Sequence, residues 1–118
     1  MFKLIVAGGR TFNDYELLKT KLDHLLKNKE IGYVEIVSGG ANGADKLGER
    51  YANEKGCMLK IFNANWDAYG KSAGYKRNAQ MADYGDACVV FWDGKSKGSK
   101  YMINLANKKG IRVVIARY

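Results

Sequence analysis

The chain has 118 residues, 47% apolar and 27% charged, which is the balance of a soluble globular domain able to hold a core without disulfides. No stretch of 18 uncharged apolar residues occurs, so neither a membrane span nor a signal peptide is expected. Twenty lysines and arginines against twelve acids leave a formal charge of +8, which favours an anionic partner such as a nucleic acid, a nucleotide or an acidic surface.

Residues 2–7 (FKLIVA) form a nearly continuous apolar run, the pattern of a strand covered on both faces, and end at Gly8-Gly9-Arg10. A helix is predicted from about 14 to 27, with Asn13 and Glu16 at capping-box spacing and Tyr15, Leu18, Leu22 and Leu25 in one apolar stripe. The second strand, 33–38, runs into Gly39-Gly40, and a helix from about 44 to 55 closes at Gly56, a left-handed cap. Residues 58–62 are the third strand. The polar, aromatic segment 63–76 is longer than most connections, and a short helix over 77–84 follows it. Residues 87–92 (ACVVFW) are the fourth strand and 93–100 a Gly/Lys/Ser loop. A helix over 101–108, capped by Gly110, leads to the last strand at 112–116.

This alternation predicts an α/β fold: a single Rossmann-like three-layer domain with a five-stranded, mostly parallel sheet in the order 3-2-1-4-5. In such sheets ligands sit beyond the carboxyl ends of the strands, at the switch point between strands 1 and 4. The candidate ligand-binding residues are those that collect there. Strand 1 supplies Gly8, Gly9, Arg10 and Thr11. Strand 2 supplies Ser38, Gly39, Gly40, Asn42, Gly43 and Asp45. Strand 4 supplies Asp93, Gly94, Ser96, Lys97, Gly98 and Ser99, and the long segment adds Trp66, Lys71, Arg77 and Asn78.

Glycines let backbone amides approach a phosphate, and a helix starting just afterwards aims its positive end at the anion. Gly8-Gly9 alone is equally well a tight turn, whereas residues 38–43, with three glycines in six, exceed what a turn needs and favour phosphate, and three converging loops strengthen that reading. Trp66 is open to base stacking or to structural packing, and Asp45 to ribose binding or to simple stabilisation of its helix. Arg77, placed by this reading at a helix start where a cation is unfavourable, is the stronger functional candidate.

Two phosphate motifs fail. Ser38 replaces the first glycine of a dinucleotide fingerprint and the third strand ends in Asn63 rather than an acid; both Gly-Lys-Ser sequences lack the first glycine of a Walker loop. With His24 as the only histidine, and Cys57 and Cys88 read as reduced core thiols, zinc sites and histidine-dependent hydrolysis are set aside.

The runs VAGGRTF (6–12), VSGGANGAD (37–45), ANW…GKSAGYKRNxxM (64–81) and VVFWDGKSKGS (89–99) resemble the YspA/cpYpsA-related branch of the SLOG superfamily, along essentially the whole chain. The resemblance implies a Rossmann-like domain that binds nucleotides or nucleotide-derived ligands; relatives include the LOG phosphoribohydrolases, the DNA-processing protein DprA and sensors of cyclic ADP-ribose-type signals. The phosphoribohydrolase pattern pairs an R-K-x-x-M helix start with G-G-x-G-T-x-x-E. This chain keeps Arg77 and Met81, has Asn78 for the lysine, and places Met102 where the glutamate belongs. A thioether neither handles a proton nor stabilises an oxocarbenium-like transition state.

The expected function is therefore non-catalytic binding of a nucleotide or of an ADP-ribose-like ligand, by sensing or sequestration, with no cofactor and no metal. An N-glycosidase using Asp45, Asp67 or Asp93, and a DprA-like single-strand binder, are the alternatives. The expected partner is a phosphorylated small molecule rather than nucleic acid or membrane, in a cytoplasmic homodimer or higher oligomer. No separate effector domain is expected within these 118 residues.

Overall fold

The computed structural model describes residues 1–118 and turns the five apolar runs into five parallel strands, β1 (Phe2–Gly8), β2 (Val34–Ser38), β3 (Met58–Ile61), β4 (Ala87–Trp92) and β5 (Arg112–Arg117). Their order is β3-β2-β1-β4-β5, as the alternation predicts. Phe2 pairs with Val34, Leu4 with Ala87, and Val90 with Ile115.

Successive residues of a strand face opposite sides, which explains the unbroken apolar run of β1. Leu4 and Val6 pack with Leu18, Leu22, Ile36, Tyr51 and Phe91 under helices α1 (Tyr15–Leu25) and α2 (Ala44–Lys55). Ile5 and Ala7 pack with Val37, Cys88, Val90, Met81 and Met102 under α4 (Ala73–Tyr84) and α5 (Lys97–Lys109). The result is two cores separated by one sheet. The edge strands depart from the fully buried pattern: Met58 and Ile61 on β3 and Ile115 on β5 are exposed.

Helix boundaries carry the other differences. Asp14, not Asn13, caps α1, its carboxylate accepting from the Leu17 amide at 3.0 Å. The 63–76 segment is not a plain loop. Asn65 caps a single turn, α3 (Trp66–Tyr69), a 3₁₀ turn follows over Gly70–Ser72, and α4 begins at once. Arg77 consequently stands in the second turn of α4 rather than at its start. Likewise α5 starts four residues earlier than expected, with the Ser96 hydroxyl as its cap. Gly56 and Gly110 close α2 and α5 in the left-handed region as anticipated.

Candidate functional site

The carboxyl ends of β1, β2 and β4 bring their loops together under the α3–α4 segment, around a cavity of about 440 Å³. Of the sequence candidates, Gly8, Gly9, Arg10, Thr11, Asp45, Trp66, Lys71, Arg77, Asn78, Asp93, Ser96, Gly98 and Ser99 line it. Gly39, Gly40 and Asn42 line an adjoining hollow of about 280 Å³ that shares Arg10, Ala41, Trp66 and Arg77 with the first. The larger volume lies within the range of small-molecule sites.

Four candidates stand outside both. Ser38 is buried, donating to Glu49 Oε2 at 2.7 Å and accepting from the Gly40 amide at 3.0 Å, so it braces the loop. Gly43, at φ +80°, lies against the Gly9 carbonyl and the Arg10 backbone, where no side chain fits. Gly94 sits under the Arg117 guanidinium, and Lys97 points outward from the first turn of α5.

Arg77 is nine-tenths buried. It donates through Nε to Asn78 Oδ1 at 2.9 Å and through Nη1 to the Gly39 carbonyl. No carboxylate lies within 4 Å of its guanidinium, since the ion pairs of the molecule involve other residues. Burial lowers its pKa, opposed by Asp45 and reinforced by Arg10. A guanidinium does not deprotonate at neutral pH, so a positive charge is held in a largely dry site without a full counter-ion. Gly39 makes this possible: a Cβ there would stand 2.8 Å from Asp45 Oδ2 and 2.9 Å from Arg77 Nη1.

Asp45 is the opposing charge, 5% exposed, with Oδ2 accepting from the Ala41 amide at 3.2 Å. Burial pushes its carboxyl up to about 6; Glu49 adds to this, while the Ala41 amide, Arg77 and Arg10 oppose it. Asp93 is the contrary case. Its Oδ1 accepts from the Ser96 and Lys95 amides, both at 2.8 Å, and those bonds hold its pKa down. That carboxylate is committed to shaping its turn.

At the α5 end, the Ser99 hydroxyl is buried and has no hydrogen-bond partner. A buried polar group without a partner costs stability, and this one lines the cavity beside the helix N-terminus. Nothing stands within 4 Å of where a Gly98 Cβ would be. Met102, fully buried, lies in the cavity lining one turn further on.

Sequence reasoning passed over Ala41, Gly74, Met81 as a lining residue, and Tyr118. Tyr118 packs on Phe12, ring centroids 4.7 Å apart, with its hydroxyl over Gly9. A lone tyrosine after the last strand carries no local signal for that position. No group of three His, Cys, Asp or Glu side chains converges to offer a metal ligand set, and no helix is long and apolar enough to cross a membrane.

The fold is similar to that found in DNA processing protein A (DprA) from Streptococcus pneumoniae, with a TM-score of 0.75 at 18% identity over 97% of this chain; the chain spans about half of that protein, 49% of its length. In sequence, it is 32% identical over 120 residues to the gene 61 protein of Mycobacterium phage D29, covering 97% of this chain and 95% of that one. The glycine-rich ends of β1 and β2 lie inside residues 2–69, which match the YspA, cpYpsA-related SLOG family, and the chain belongs to that family.

Proposed function

We propose that this chain binds a nucleotide or nucleotide-derived ligand in the cavity at the switch point, as a sensor or sequestering protein that does not cleave it. The reading is carried by one observation: a buried Arg77 without a carboxylate partner shares a cavity of about 440 Å³ with the N-terminus of α5 and its unpaired Ser99 hydroxyl. A phosphate fits this set. It would accept from the guanidinium and the serine hydroxyl while the helix end favours its charge. Lys71 and Arg10 at the cavity wall add to the same field. Isothermal titration with ADP-ribose, cyclic ADP-ribose isomers and mononucleotides is the test. Binding of one member with submillimolar affinity supports the reading; silence across the panel sinks it.

The raised pKa of Asp45 favours a second reading, an N-glycosidase in which that carboxyl acts as acid. Asp67 does not line the cavity, and Asp93 is held by two amides, which leaves Asp45 as the candidate for that role. Release of free base from AMP or NAD on chromatography would establish this activity. The likeness to DprA adds a control with single-stranded DNA, for which a multi-phosphate contact predicts affinity falling steeply with salt.

A further inference from the structure

Three aromatic rings line the cavity: Trp66, Tyr75 and Tyr118. Two of them are already engaged. Tyr75 meets Tyr101 edge-on with centroids 4.6 Å apart, and Tyr118 packs on Phe12. Trp92, the other tryptophan, lies under Arg117 and donates its indole N–H to the Ser96 carbonyl at 3.0 Å. Trp66 alone has neither an aromatic nor a cationic partner, and 51% of its surface is exposed. It also lines both the main cavity and the adjoining hollow, as do Arg10 and Arg77. A half-exposed ring that lines the cavity and has no aromatic or cationic partner leaves a face free for a planar ligand.

The segment that carries Trp66 is lightly tied. Every residue from Asn65 to Ser72 is exposed. Its hydrogen bonds are internal: the Ala68 and Tyr69 amides donate to the Asn65 side chain and carbonyl at 3.1 and 3.0 Å, and the Ser72 hydroxyl to the Tyr69 carbonyl at 2.9 Å. Gly70, at φ +55° with open space around it, ends α3 in a conformation other residues rarely adopt. The indole edge rests on Gly74, 3.5 Å from where a Cβ would stand. The ring is thus positioned at the mouth by a short exposed flap rather than locked into a core.

We propose that Trp66 is the specificity-determining residue of this site: its indole stacks on the planar base of the ligand as the flap settles over it. Given the proposed role of the cavity as a phosphate site, the preferred ligand class is base-bearing rather than a bare sugar phosphate. Base–aromatic stacking is typically lost on alanine substitution with a penalty equivalent to roughly 5- to 150-fold in affinity.

The experiment compares AMP, ADP-ribose and ribose 5-phosphate by isothermal titration on the full chain, with Trp66→Ala and Trp66→Phe beside it. The wild type is expected to bind its best base-bearing ligand at least tenfold more tightly than ribose 5-phosphate. Trp66→Ala should abolish that preference while leaving ribose 5-phosphate within about twofold, and Trp66→Phe should restore most of it. Quenching of tryptophan fluorescence by the base-bearing ligand should disappear in Trp66→Phe. Equal wild-type affinities for base-bearing and base-free phosphates overturn the proposal while the phosphate site stands. So does a Trp66→Ala variant that weakens all three ligands alike. Failure of all three to bind the wild type removes the phosphate site and this inference with it.

Discussion

Replacing Asp45 by asparagine is expected to stabilise the protein at neutral pH and to change it little at pH 4. The carboxyl is 5% exposed, makes one hydrogen bond to the Ala41 amide and has no cation within 4 Å. Burial raises its pKa from 3.8 to about 6. The folded state therefore holds this proton more tightly than the unfolded chain does. Below pH 4 both states are protonated and the group is neutral in the balance. Between about 4 and 6 the unfolded chain releases the proton first, so stability falls as pH rises. Above 6 the penalty is complete.

One pKa unit is worth 1.36 kcal/mol, which puts the cost at neutral pH on the order of 3 kcal/mol, a large share of the ~5–15 kcal/mol that holds a domain together. Asparagine keeps an oxygen for the Ala41 amide and drops the charge. Urea unfolding of both proteins at pH 4.0 and 7.5 gives the measurement, and the difference between them cancels every other carboxylate. The stabilisation should grow by about 2–3 kcal/mol from the acid to the neutral condition. A variant less stable than wild type at pH 7.5, or a difference that ignores pH, refutes the reasoning. A stabilising Asp45→Asn that also alters ligand affinity would mark the acid as retained for binding at the expense of stability.

Other substitutions probe the remaining parts of the site. Arg77→Met keeps the aliphatic stem and removes the charge; ligand affinity by titration should fall at least about tenfold, while the orphaned Gly39 carbonyl lowers stability by roughly 1–3 kcal/mol in urea. Gly43→Ala and Gly98→Ala form a contrasting pair. The first forces a side chain into the Gly9–Arg10 backbone at positive φ and should destabilise by more than about 2 kcal/mol; the second enters open space at the α5 N-terminus, leaving the melting temperature nearly unchanged but weakening ligand binding. The thiols should differ in reactivity: burial pushes Cys88 up to about 12 and raises half-buried Cys57 less far, so a thiol reagent should titrate Cys57 first and Cys88 only on unfolding.

The sheet was legible because its signal is periodic and redundant. Apolar runs of four to seven residues, separated by helical stripes, mark a parallel sheet with helical crossovers, and 3-2-1-4-5, one of the common doubly wound orders, is the one the structure has. The glycine-rich strand ends were legible for the same reason, since topology places them at one edge. What escaped is what depends on contacts distant in sequence. The sequence pattern places Arg77 at a helix start, yet α4 begins four residues earlier, at Ala73. Gly74 reads as a helix breaker by propensity, but it is tolerated there with the Trp66 indole resting against it. The reason for Arg77 is instead its burial without a carboxylate, a property no local pattern reveals. Ser38 and Gly43 carry phosphate-loop residue types and serve the loop's own architecture.

Two helices aim their N-termini at the switch point, and their surroundings assign them different tasks. The α2 terminus is already answered: the Gly9 carbonyl accepts from the Ala44 amide at 3.2 Å, and Asp45 places a carboxylate in the first turn. The α5 terminus has no acid in its first turn and an unpaired serine hydroxyl. Arg10, Lys71 and Arg77 are free of ion pairs, whereas the five paired cations lie on helices away from the cavity lining. These cations are therefore available to an anion: Arg10 and Arg77 stand near enough to Asp45 to oppose its raised pKa, and the α5 terminus, with no acid in its first turn, offers an end that Asp45 does not occupy. A ligand is expected to lie with its phosphate toward α5 and its hydroxyl donors toward Asp45, which is ionised at pH 7.5 and accepts from them. Removing both ribose hydroxyls, as in 2′,3′-dideoxy-AMP against AMP, should cost about 1.5–3 kcal/mol in the wild type, the range for hydrogen bonds to a charged group. In Asp45→Ala the same comparison should give almost no difference. Equal affinities of the two ligands for the wild type would place the sugar elsewhere and reverse the assigned orientation.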